Sequence, residues 1–132
     1  MPLPAHESLI MKLATGVDLI EIDRIQAVLD RHGQQYLQRV FTQAERELCG
    51  KKVDSLAVRF AAKEAVSKAL GGGIGEVTFQ DIEILQDDLG APVLHLHGMA
   101  AEKASQLGLT SWSLSLSHNL TTAIAMVTAL GE

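Results

Sequence analysis

The sequence of 132 residues is poor in aromatics, in cysteine, in net positive charge and in long apolar runs. Aromatics are 4% of it against a hydrophobic fraction of 47%, so a core has to be assembled from Leu, Ile, Val and Ala. The single Cys49 excludes an internal disulfide and a cysteine-based zinc site, and fits a reducing cytoplasm in which that thiol merely packs. The N-terminal MPLPAHESLIMKLATG lacks a basic segment followed by a long apolar stretch and does not read as a signal peptide. Met11 reads as the start of the ordered part, with residues 1–11 an N-terminal extension. The apolar stretch from Leu120 to Leu130 is too short to span a bilayer as a helix and reads as a buried strand. A net charge of −5 argues against nonspecific nucleic-acid binding. Locally the balance differs: Arg24, Arg31, Arg39, Arg46, Lys51 and Lys52 make a basic patch on which an acidic protein partner could dock.

What the sequence does have is a single organising stretch, RFAAKEAVSKALGGGIG from Arg59 to Gly75. Val58, Ala61, Ala62, Ala65, Val66 and Ala69 fall at helical spacing on one side; Phe60, Glu64, Ser67 and Lys68 gather on another. An alanine face lets a neighbouring element approach the backbone closely. Gly71, Gly72 and Gly73 then end the helix, since glycine tolerates the left-handed conformation of a C-terminal cap.

The rest of the chain reads as a single domain, 1–132, of the size that buries an independent core. Residues 12–18 read as a strand ending at Asp18, and Ile22, Ile25, Val28 and Leu29 as a helix up to Gly33. Thr42 with Glu45 is a capping-box signature for a second helix, separated from the central one by Lys51 to Asp54. Val77 to Leu85, the DDLG turn and Val93 to His97 form a hairpin, followed by a short amphipathic helix over Gly98 to Gly108. Thr110 to Ser117 alternates as a strand, and His118 and Asn119 turn into the last one. The fold class is α+β, an antiparallel sheet against a long central helix and shorter helices.

Each candidate for chemistry has an ordinary structural reading beside it. An Asp where a strand gives way to a helix usually caps backbone N–H groups, so Asp18 needs a partner to mean more. Glu64 could supply it, since two carboxylates from separate elements, completed by phosphate oxygens and water, are how Mg²⁺ is usually held, but spacing alone does not decide. Glu64 with Lys68 four residues on is equally the favourable helical ion pair. The glycines follow a helix rather than precede one, the wrong polarity for the familiar phosphate loops, so phosphates there need Lys68, Lys63, Arg59 or a metal for charge. Ser117 and His118 are neighbours on a strand and face opposite ways, so they do not easily form a nucleophile–base pair. His95 and His97 share a strand face with no third metal ligand evident, so a solvated face is the commoner reading.

Together, GVDLIEIDRI (16–25), RVFTQAE (39–45), RFAAKEAVSKALGGGIG (59–75), FQDIEI (79–84) and SLSH (115–118) resemble the holo-acyl-carrier-protein synthases, the small bacterial 4'-phosphopantetheinyl transferases. The resemblance covers nearly all of the chain from Leu13 to Val127. It implies transfer of phosphopantetheine from coenzyme A to a serine of apo acyl carrier protein, releasing adenosine 3',5'-bisphosphate, Mg²⁺-dependent, in fatty acid biosynthesis. By the same resemblance Asp18 and Glu64 are the metal carboxylates and Lys68 meets the coenzyme A phosphates. Arg59, Phe60, Gly71, Gly72, Gly73 and His118 line the coenzyme A pocket, and Arg24 engages the acidic carrier. The resemblance further implies a homotrimer with each active site between two protomers. The group that takes the serine proton stays open: Glu64, directly or through water, or a metal-bound water.

Two departures stand out. Ala14 replaces the first glycine of the family's G-x-G-x-D, and Gly90-Ala91-Pro92 stands where G-K-P is usual, removing a lysine contact to coenzyme A. The rivals are a binding module without chemistry, opposed by the intact Asp18, Glu64 and Lys68, and a Mg²⁺-dependent hydrolase of coenzyme A, opposed by the basic face around Arg24 and Arg31.

Overall fold

The computed structural model describes residues 11–72 and 77–132. The expected N-terminal extension up to residue 10, and Gly73 of the glycine loop, lie outside the described residues. Strand β1 (Lys12–Glu21) leads into helices α1 (Ile22–His32), α2 (Gln34–Val40), α3 (Gln43–Cys49) and α4 (Val53–Ala69). A 3-10 turn at Phe79–Asp81 precedes β2 (Ile82–Gln86) and β3 (Pro92–Leu96); α5 (Gly98–Leu107), β4 (Ser111–His118) and β5 (Thr122–Gly131) complete the chain. The three longer strands form an antiparallel sheet in the order β1-β5-β4, and β2 with β3 makes a separate hairpin. The α+β reading holds.

Helix α4 lies against the inner face of the sheet. Strand alternation turns Ala14, Gly16, Asp18 and Ile20 inward from β1, and Ala123, Ala125, Val127 and Ala129 from β5. Small residues on both sides bring helix and sheet together until backbones touch. A side chain on Gly16 would place its Cβ 1.9 Å from the Ala65 carbonyl oxygen, so only glycine fits there. The predicted stripe of α4, from Val58 to Ala69, is buried throughout, and Leu56, Ala57, Arg59, Lys63 and Ser67 are buried as well.

Lys63 and Glu45, both without exposure, form an ion pair at 2.8 Å in the interior. Lys63 also donates to the carbonyls of Phe79 and Ile82, and Glu45 accepts from the backbone of Thr42 and Ile84. Every charge has partners, which is what keeps a buried pair from destabilising a core. The expected capping box at Thr42 and Glu45 is present, so the cap of α3 is at the same time the anchor of α4 and β2.

Four expectations are corrected. β1 does not stop at Asp18 but runs on to Glu21, so Asp18 caps no helix and instead points inward from mid-strand. α2 is an additional helix after the left-handed Gly33, in a stretch too short for its periodicity to be read. The hairpin strand begins at Ile82 rather than Val77, because the 3-10 turn takes up the residues before it. β5 is buried on one face only: Ile124, Met126 and Leu130 are exposed beside Leu13, Val17 and Leu19 of β1.

Candidate active site

The contact between Gly16 and Ala65 is what assembles the site. Asp18 is the next inward residue of β1 after Gly16, and Glu64 is the residue before Ala65 on α4, so backbone contact forces the two carboxylates toward each other. Lys68, one turn beyond Glu64, bonds across to the strand. Its Nζ donates to Asp18 Oδ1 at 3.1 Å and to the Val17 carbonyl at 2.9 Å. The i,i+4 pair of Glu64 with Lys68 is thus replaced by a tertiary pair, leaving Glu64 half-buried and without a hydrogen bond among the described residues.

Burial, and then the charge of Asp18, raise the Glu64 carboxyl above the ordinary carboxylate range, with Lys68 opposing. Two like charges pressed together in this way fit a hard cation between them. Among the described residues no cluster of three or more His, Cys, Asp or Glu could hold a metal. A pair of carboxylates suits Mg²⁺, which takes its other ligands from water and phosphate; it does not suit zinc, which demands a closed set of side chains.

The end of α4 is built by its glycines. Gly71, with φ 90°, donates to Lys68 O, and Gly72 donates to Ser67 O, the paired bonds of a Schellman cap. Ser67, expected on the stripe with Glu64 and Lys68, is instead buried and adds a bond from its hydroxyl to the Gly72 carbonyl at 3.0 Å. Backbone at Gly71 and Gly72 is exposed, and the Lys103 Nζ comes within 3.8 Å of where a Cβ on Gly72 would lie.

The remaining predicted residues are placed as follows. Phe60, one turn before Glu64, stacks on Phe79 at 5.5 Å and lines a cavity of about 410 Å³ with Tyr36, Val28 and Val40. Arg59 and Lys63 are turned inward and do not reach a phosphate at this site: Arg59 Nε donates to Ile84 O at 3.0 Å, and Lys63 is spent on Glu45. His118 ends β4, exposed, with Nε2 3.8 Å from Asp54, and lines a separate open hollow of about 850 Å³ with Lys51 and Lys52. Within one chain it is two strands away from Asp18. Arg24 is exposed on α1. His95 and His97 are exposed, and His97 pairs with Glu83 at 3.1 Å, as a solvated face predicts.

The sequence profile of the 4'-phosphopantetheinyl transferase superfamily matches residues 14–125. A holo-[acyl-carrier-protein] synthase of Herpetosiphon aurantiacus is 49% identical over 126 residues, covering 90% of this chain and 99% of that protein. Among solved structures, the Helicobacter pylori holo-[acyl-carrier-protein] synthase in complex with coenzyme A aligns with a TM-score of 0.80 and 38% identity, over 87% of this chain and 98% of that one. A holo-(acyl-carrier-protein) synthase from Bacillus anthracis, in complex with coenzyme A (3',5'-ADP), aligns with a TM-score of 0.77 and 37% identity, over 93% of this chain and 100% of that one.

Proposed function

The chain belongs to the 4'-phosphopantetheinyl transferase superfamily, and from that membership we propose that it is a holo-[acyl-carrier-protein] synthase. It moves phosphopantetheine from coenzyme A to a serine of apo acyl carrier protein. The observation that carries this reading is the convergence of Asp18, Glu64 and Lys68 from two elements onto one spot beside bare glycine backbone. The match over residues 14–125 supports one transferase domain.

Asp18 and Glu64 would hold Mg²⁺, which when bound supplies neutralising charge at the coenzyme A pyrophosphate. Lys68, about half exposed, keeps its ammonium on Asp18 until phosphate arrives, and then steadies the charge growing on the leaving group. The serine oxygen bonds to the β-phosphorus as the bond to the bridging oxygen breaks, and adenosine 3',5'-bisphosphate departs. Burial and the charge of Asp18 strengthen the hold of Glu64 on a proton, which suits it to take the serine proton. Phe60 and the glycines give coenzyme A flat and open surface, and exposed Arg24 supplies positive charge to an acidic carrier.

His118 with Lys51, Lys52 and Asp54 lines a second hollow away from Asp18 and Glu64, as expected if each site is completed by a neighbouring protomer. The exposed apolar sheet face supports a homotrimer. We place the reaction in the cytoplasm and in fatty acid biosynthesis; no helix among the described residues is long and apolar enough to cross a membrane.

The direct test incubates the protein with coenzyme A, Mg²⁺ and apo acyl carrier protein and weighs the carrier by mass spectrometry. A gain of one phosphopantetheine group, abolished by chelation, is expected. An unmodified carrier, in the presence of a control enzyme that modifies it, would refute the assignment.

A further inference from the structure

Helix α5 buries Ala100 and Ala104 and leaves Glu102, Ser105 and Gln106 in solvent. Lys103 falls between these faces, one turn on from Ala100, so its stem is laid along the protein surface and its ammonium is carried to the end of α4. There its Nζ stands 3.8 Å from where a Cβ on Gly72 would lie, beside backbone that no side chain of its own covers. The ammonium has no ion pair among the described residues. Nor does the cap of α4 need it. The Lys68 and Ser67 carbonyls accept from Gly71 and Gly72, and the Gly72 carbonyl accepts from the Ser67 hydroxyl.

What this end of α4 lacks is positive charge. The carboxyl end of a helix is partly negative, so an anion resting on Gly71 and Gly72 has to be compensated by side chains. Arg59 and Lys63 are turned inward, which leaves Lys68 as the cation that α4 itself provides. Lys103 is a second one, delivered from another element to the far side of the same helix end. A compact ammonium on a flexible stem suits a phosphate whose place is fixed by other groups.

We propose that Lys103 is a substrate-binding residue: its ammonium takes a phosphate of coenzyme A over the bare backbone of Gly71 and Gly72. The inference rests on the transferase reading above and extends that site to α5.

Lys103→Met keeps the stem and removes the charge, at a half-exposed helical position where methionine is well tolerated. Its Kd for coenzyme A, read by titration calorimetry, is expected to rise roughly tenfold, with the KM for coenzyme A following and the KM for the carrier unmoved. Lys103→Arg is expected to stay close to the wild type, since it keeps a phosphate-binding cation. Dephospho-coenzyme A, which has the pyrophosphate but no 3'-phosphate, tells the two sources apart: the same loss against it assigns the contact to the pyrophosphate, and no loss assigns it to the 3'-phosphate. Wild-type affinity for coenzyme A in Lys103→Met would overturn the proposal. So would a lowered Tm with both KM values raised together, which is what a lysine that only fastens α5 to α4 produces. Should the variant fail to fold, the wild type still decides: bound coenzyme A is expected to slow acetylation of Lys103 by acetic anhydride, read by peptide mass spectrometry, and a rate indifferent to coenzyme A refutes the contact. A wild type that binds coenzyme A but leaves the carrier unmodified would sink the transferase reading and not this contact. A modified carrier, with coenzyme A held equally well by Lys103→Met, would sink this inference alone.

Discussion

Glu64 sits where folding alone would not put a charge. Its carboxyl is raised by burial and by Asp18, so the folded chain holds the proton more tightly than the unfolded one. Unfolding free energy therefore falls as pH rises from the ordinary carboxylate range through the raised value, and near neutrality the ionised Glu64 is a burden. Glu64→Gln keeps the volume and removes the charge. We expect it to raise Tm at neutral pH without metal, to flatten the loss of stability between mildly acidic and neutral pH, and to abolish metal-dependent turnover. Calorimetry across pH and the carrier assay check this; a destabilised but active variant would contradict it.

At the scale of elements, the meeting of β1 with α4 decides the geometry. Gly16→Ala would drive a methyl into the Ala65 carbonyl, 1.9 Å from its oxygen, with no flexible side chain to yield. The strand has to lift, which we expect to cost about 3 kcal/mol or more in urea unfolding and to weaken Mg²⁺ dependence by spreading the carboxylates. A loss below about 1 kcal/mol would mean that β1 accommodates the methyl by sliding. The alanine face of α4 and the capping box of α3 were legible because helical spacing and a four-residue signature are local. α2 was not, because its seven residues hold too few turns for a period to emerge, and Tyr36 went unread with it. The end of β1 was misplaced for a different reason: inward Asp18 imitates a helix cap in sequence, and only its neighbour on α4 reveals it as part of a pair.

At the scale of the whole molecule, the outer sheet face is the unfinished part. Leu13 is 66% exposed, Leu19 63%, and Met126 53%, forming one apolar surface across β1 and β5 where alternation in a monomeric sheet calls for polar residues. Leu13→Lys lies five residues along the strand from Asp18, roughly 16 Å, and as a surface change in a monomer it should be nearly silent. In the proposed trimer it buries a charge. We expect light scattering to find an assembly for the wild type and monomers for Leu13→Lys, with turnover lost in step; a monomeric, active wild type would remove the shared site.

Short-range pattern alone established the class of the fold, the alanine-faced helix, the glycine cap and the carboxylates and lysine proposed to hold a cation and phosphate, because all of these are written locally. Only the tertiary structure decided which groups meet. It turned Arg59 and Lys63 into internal ties and gave Lys68 to Asp18 instead of Glu64. The physical reason is that a pairing between β1 and α4 spans some fifty residues of chain, and its geometry is set by how closely Gly16 lets two backbones approach.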